Sequence, residues 1–182
     1  MSKHPINDTL LNGDLVREPV GDEQGYWAGA PGWVWDDTDQ AGYICYRIRR
    51  PRGVEPDRGG ESRIAKTTDF KTFEDIWSVH KDAYESASIE KSTLRRGADG
   101  RFRYFTSYVA PEDGRWCTTV NTADTVGDLD PTNTQRLFTA ADLGLEGVKD
   151  PWILEENGRY SMFLSVAINT ATTSNSSHDT LD

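Results

Sequence analysis

The sequence predicts an all-β fold, a β-propeller, and three observations point to it. Three glycine-led, strand-like segments recur: GYICYRIR from Gly42, GRFRYFTSY from Gly100 and GRYSMFLSV from Gly158, each glycine 58 residues from the next. Each follows a polar turn, and each turn follows a short apolar run (WVW, STL, WIL), so each unit opens with a hairpin. Sustained helical periodicity is absent; AADLGLEG has room for a single turn. Four-stranded units repeating at a fixed period in the tens of residues are the mark of propeller blades.

Taken in order, residues 1–25 form a lead-in. Blade one spans 26–82, its opening hairpin followed by SRIAKTT and TFEDIWSV. Blade two spans 84–140 and continues the same way with RWCTTVNT and TQRLFTA. Blade three, 145–182, is incomplete: after SMFLSVAI the chain turns polar and low in complexity, NTATTSNSSHDTLD. About two and a half blades are therefore expected, whereas a propeller closes with about four or more. The chain reads as the N-terminal part of a longer propeller, or as one that self-associates to cover its open blade edges.

Charge and composition narrow the partners. With 30 acidic against 20 basic residues the net charge is −10, which argues against nucleic acid and anionic membrane. No apolar run approaches the ~18 residues of a membrane span, and MSKHPINDTLLNGDL lacks the apolar core of a signal peptide, so a cytoplasmic protein is expected. Cys45 and Cys117 both lie in strand-like runs and are read as buried free thiols. His4, His80 and His178 are scattered, so neither metal nor cofactor is expected.

The chemistry of a propeller sits where its inner strands open on the central channel. Alignment of their apolar ends, Trp35 with Leu94 and Leu154, places Glu90, Asp150 and Pro31 at equivalent points four residues upstream. Two blades thus present a carboxylate at the channel mouth. A carboxylate pair across a funnel is the arrangement glycosidic bond cleavage requires, one group protonating the leaving oxygen and the other activating water or attacking the sugar. The loop 49–62 between strands two and three of blade one reaches the same face with Arg49, Arg50, Arg52 and Arg58; of these Arg58 is the candidate ligand-binding residue, because an arginine fork suits carboxylates, phosphates and vicinal hydroxyls. Trp27 offers an aromatic face for a pyranose ring, while Trp33, Trp35 and Trp152 are read as core. TTDFKTF, residues 67–73, is similar to the Asp-box turn of sialidases and falls between strands three and four, where its role is structural.

KDP before a strand, SIE one blade earlier and blades of this length resemble the five-bladed propeller glycosidases of glycoside hydrolase family 43 and the β-fructosidase group. YWAGAPG, residues 26–32, is similar in spacing to the fructosidase opening motif Trp-x-x-Asp-Pro-x-Gly. The resemblance implies that Asp150 holds sugar hydroxyls and stabilises the transition state, with Lys149 in place of the family's arginine. It also implies that Ala30 stands where the nucleophile or base aspartate belongs. The expected function is hydrolysis of an O-glycosyl bond in a carbohydrate through Asp150 and Glu90, with Trp27, Arg58 and Lys149 binding substrate. The alternatives are a carbohydrate-binding propeller that has lost its nucleophile, and an inactive fragment.

Overall fold

A computed structural model of the chain describes residues 12–56, 59–156 and 158–168. Ten strands carry the fold: β1 (Trp27–Asp36), β2 (Ala41–Arg49), β3 (Glu61–Thr67), β4 (Glu74–His80), β5 (Thr93–Arg96), β6 (Phe102–Val109), β7 (Trp116–Ala123), β8 (Gln135–Phe138), β9 (Gly147–Glu156) and β10 (Arg159–Ala167). The segment AADLGLEG supplies one helical turn, α1 (Ala140–Leu143), capped by the Thr139 side chain and ended by Gly144 in the left-handed region. β1 to β4 form one antiparallel meander, and β5 to β8 form a second. β9 and β10 form a hairpin joined to the second sheet by one parallel contact, Trp116 with Gly147. The fold is an all-β propeller.

The blades are held face to face by alternating side chains. Tyr43, Cys45 and Ile64 of the first sheet pack on Leu94, Phe102 and Tyr104 of the second. Phe105 and Val120 of the second pack on Ile153 and Met162 of the hairpin. Burying such side chains contributes roughly 1.5–3 kcal/mol each. Within the first interface the Tyr104 hydroxyl donates to Ser62 Oγ at 2.9 Å, and Ser62 Oγ lies 3.2 Å from Ser92 Oγ, so these three hydroxyls satisfy one another. The Arg95 guanidinium donates to the carbonyls of Trp33 (3.4 Å), Leu94 (3.0 Å) and Ile153 (2.8 Å), tying three inner strands together. Both cysteines are free and buried; burial pushes the Cys45 thiol up to about 12, which makes it inert.

Trp33 and Trp152 depart from the core reading: they are 41 % and 43 % exposed. β1 and β9 are both ten residues long, so Trp33 corresponds to Ile153, which packs on the preceding blade, and Gly32, which faces the next blade, corresponds to Trp152. Trp33 thus faces backward and Trp152 forward, and among the described residues no blade covers either side. Phe70 stacks on Trp35 at 5.2 Å on the backward-facing side. Among the described residues β10 is paired on one side only and exposes Phe163 and Val166. The TTDFKTF turn lies between β3 and β4 as expected. Asp69 Oδ1 accepts from the Lys71 and Thr72 backbone N–H groups at 2.8 and 2.7 Å.

The carboxylates of these turns give the fold a defined acid limit. Burial alone would raise Asp36, but the Arg96 guanidinium and the Asp39 backbone N–H outweigh it and hold the carboxyl below the ordinary aspartate value. Backbone N–H groups of Thr72 and Lys71 hold Asp69 at about 2, and Arg103 with the Arg101 backbone holds Asp99 at about 2. Because these folded-state values are depressed, the stability they add is complete above the ordinary value of 3.8 and is lost as pH falls through about 2. The thermal midpoint is therefore expected to be flat above about pH 5 and to decline as pH falls from about 4 toward 2. A midpoint that holds constant down to pH 2.5 in a scanning calorimeter would contradict this assignment.

Candidate functional site

Each inner strand carries an extra residue at the same place. In β1, Gly29 pairs with Arg47 and Gly32 with Cys45, so Ala30 and Pro31 face Tyr46 alone. In β9, Lys149 pairs with Ser165 and Trp152 with Phe163, so Asp150 and Pro151 face Leu164 alone. In blade two, Ile89 bridges Tyr108 and Thr93 pairs with Phe105, again one residue more on the inner side. Bulges of this kind re-aim a side chain and recur beside active sites. They bring Ala30, Glu90 and Asp150, sixty residues apart in each step, to one equivalent position. This corrects the alignment by apolar strand ends, which placed Pro31 there; β1 and β9 match residue for residue, so Val34, not Trp35, is the counterpart of Leu154.

The backbone at the first and third bulges is strained alike. Ala30 has φ 52° and Asp150 φ 58°, both left-handed; Glu90 does not share this conformation. Aspartate tolerates that region better than alanine, because its short polar side chain can hydrogen-bond locally. Ala30 is thus a residue without a carboxylate in a backbone that suits one. It has no acid–base chemistry.

Glu90 and Asp150 meet around Lys149. Glu90 is only 7 % exposed, and one of its carboxylate oxygens is held by the Arg47 guanidinium. Lys149 Nζ stands 3.6 Å from the other Glu90 oxygen, 3.8 Å from Asp150 Oδ2 and 5.2 Å from the centre of the Trp116 ring. Burial pulls the Lys149 ammonium below its ordinary lysine value; Asp150 opposes that and Arg47 adds to it. The Asp150 side chain is 24 % exposed and is the more accessible of the two carboxylates. Trp27 begins β1, its ring folded across Gly29, with the Arg47 and Arg49 guanidinium carbons 5.4 and 5.8 Å from its centre. Two cations therefore lie beside the aromatic ring expected to take a pyranose. Arg58 lies outside the described residues. Sequence reasoning passed over Arg47, although an arginine between Tyr46 and Ile48 in the second strand of a blade signals a buried acidic partner.

A well-defined concave space lies elsewhere. A groove of about 780 Å³ runs between blade two and the β9–β10 hairpin, lined among others by Arg95, Arg103, Phe105 and Tyr160. It sits at the hairpin end of the inner strands, away from their starts, where Glu90 and Asp150 stand. The described residues build only part of a ring, so the funnel mouth is open on one side. The chemistry of the bulge carboxylates, not cavity volume, therefore locates the candidate site. Among the described residues no group of three metal-ligating side chains forms, and no helix is long and apolar enough to cross a membrane.

A propeller with carboxylates at bulges on its inner strands defines a class, and solved structures sharpen it. No family model and no curated protein matches the chain. Among solved structures it is similar to the GH43_1 enzyme from Xanthomonas citri complexed with xylotriose, at TM-score 0.56 and 16 % identity, covering 80 % of this chain and 41 % of that one. It is also similar to an exo-1,5-alpha-L-arabinanase from a bovine ruminal metagenomic library, at TM-score 0.60 and 12 % identity, covering 86 % and 53 %. An alpha-L-arabinanase mutant from Cellvibrio cellulosa matches at TM-score 0.55 and 15 % identity, covering 82 % and 51 %. The chain spans about half the length of these proteins. The fold is that of the glycoside hydrolase family 43 propellers.

Proposed function

We propose that this chain is a carbohydrate-recognising propeller segment in which Asp150 accepts hydrogen bonds from sugar hydroxyls at the funnel mouth. One observation carries the reading: of the three equivalent bulge positions, Ala30 has no acid, Glu90 is buried between two cations, and Asp150 alone combines a carboxylate with access to solvent. Lys149 sits where it can share the same hydroxyls. Glu90 positions Arg47 and Lys149 rather than exchanging protons with substrate. A second reading, glycosidic bond hydrolysis, is favoured by the likeness to glycosidase propellers. It requires a further acid–base carboxylate from outside the described residues, because cleavage takes two.

Calorimetric titration of the chain with xylotriose and with arabino-oligosaccharides, run beside an assay for released reducing sugar, separates the readings. Saturable binding without release is expected, and Asp150→Asn is expected to weaken it by about tenfold, the scale of one charge-assisted hydrogen bond. Release that Asp150→Asn abolishes would establish hydrolysis instead. Absence of binding by any sugar would overturn both. Ala30→Asp is expected to fold normally, since its backbone already suits aspartate, and to alter the affinity; no change in affinity would remove Ala30 from the site.

A further inference from the structure

We propose that the groove between blade two and the β9–β10 hairpin binds a small aromatic carboxylate, the Arg95 guanidinium receiving the carboxylate and the apolar base of the groove holding the ring. This stands apart from the carbohydrate reading, because the groove lies at the hairpin end of the inner strands, away from Glu90 and Asp150. Four arginines line the groove, and three of them are neutralised within the fold. Arg96 pairs with Asp36 at 2.8 Å and with Asp39 at 2.5 Å, Arg101 with Asp124 at 2.8 Å, and Arg103 with Asp99 at 2.8 Å. Arg95 differs. Its acceptors are the main-chain carbonyls of Trp33, Leu94 and Ile153, and among the described residues no carboxylate forms an ion pair with it.

Burial pulls the Arg95 guanidinium below its ordinary arginine value; Cys45 and Glu155 oppose that and are outweighed. Arginine keeps its proton, so a charge that burial disfavours is met by an anion rather than by deprotonation. The three carbonyl bonds use three of its five N–H groups and leave two for a carboxylate. The rest of the groove selects the body of the ligand. Phe105, Val120, Ile153 and Met162 pack together and form its base. Leu137 and Tyr160 also line it and remain 39 % and 49 % exposed, so a ring laid there removes apolar surface from water. Tyr160 and Phe105 favour a flat ring, which they contact face or edge. The volume of about 780 Å³ falls in the range of small-molecule sites, which are mostly apolar with a few polar groups that fix orientation.

The test is equilibrium dialysis of the whole chain against 2-naphthoate and against its neutral amide, 2-naphthamide, read by naphthalene absorbance. 2-Naphthoate is expected to bind at about 1 mM or tighter, the scale set by its size. It is expected to bind about tenfold more tightly than the amide, the scale of one charge-assisted contact. Arg95→Gln is expected to bring the two within about twofold. Because Arg95 also ties three strands together, Leu137→Glu serves as a second variant: it changes a half-exposed residue of β8 and sets a carboxylate in the groove. It is expected to weaken 2-naphthoate about fivefold, the scale of a solvated like-charge pair, and to leave the amide within about twofold. Equal binding of acid and amide would overturn the inference, since Arg95 would then contribute nothing. Acetate competing as well as 2-naphthoate would refute it by showing that the apolar base contributes nothing. Affinity that falls as protein concentration rises would assign the groove to a second copy instead, and binding of neither compound would sink the proposal outright. The sugar titrations are unaffected by any of these outcomes.

Discussion

Arg47→Met is expected to destabilise the chain by about 3 kcal/mol, lowering the thermal midpoint by roughly 6–12 °C. The Arg47 and Glu90 side chains are 8 % and 9 % exposed, on different blades. Removing the guanidinium strands a buried carboxylate, with Lys149 Nζ 3.6 Å away as its remaining cation in the cluster. Stranding one member of such a pair costs far more than the pair is worth, because the charge was desolvated on the assumption of its partner. The double variant Arg47→Met with Glu90→Leu is therefore expected to recover most of the loss. Chemical denaturation of the two single variants and the double closes the cycle. A single variant within 1 kcal/mol of the parent would show that the pair does not hold the blades together. A double variant no more stable than Arg47→Met would show that the stranded charge is not the cause.

That pair also marks the boundary of what could be read from the sequence. The hairpins were legible because strand alternation and turn residues are local, and because Gly42, Gly100 and Gly158 open them at one spacing. The outer strands followed from short apolar runs such as SRIAKTT and RWCTTVNT, which became β3 and β7. The candidate carboxylates were legible as a repeat, but their register was off by one in the first blade. A bulge leaves no local mark; it exists only in the pairing of two strands. Of the cluster of Arg47, Glu90 and Lys149, the sequence placed Glu90 and Lys149 near the channel mouth but did not bring Arg47 to them. Its members come from three blades, and nothing in GYICYRIR says which blade its arginine will meet. Trp33 and Trp152 were misread for the opposite reason: alternation correctly placed each on a sheet face but cannot say whether another sheet covers that face.

Gly32→Ala is the second large effect expected, about 3 kcal/mol, at the upper end of overpacking costs. Gly32 follows the first bulge and is buried against the inner strand of blade two. A Cβ there would stand far inside contact distance of the Ser92 carbonyl oxygen and 3.4 Å from Thr93 Cα. Both obstacles are backbone, so the clash is relieved only by moving one inner strand off the other. That movement loosens Cys45, which pairs with Gly32 and packs in the core between the blades, and the Ser62–Ser92–Tyr104 hydrogen bonds beside it. It also draws Arg47 from Glu90, two residues before Ser92, so the candidate site is expected to loosen along with the fold. Gly42→Ala is the internal control. The Trp33 ring lies directly on Gly42, but a half-exposed side chain can swing aside where a backbone carbonyl cannot. Its cost is expected to stay near 1 kcal/mol. Urea unfolding of both variants decides the point: if Gly42→Ala proves the more damaging, the close approach of the two inner strands at Gly32 is not what sets the geometry of the mouth.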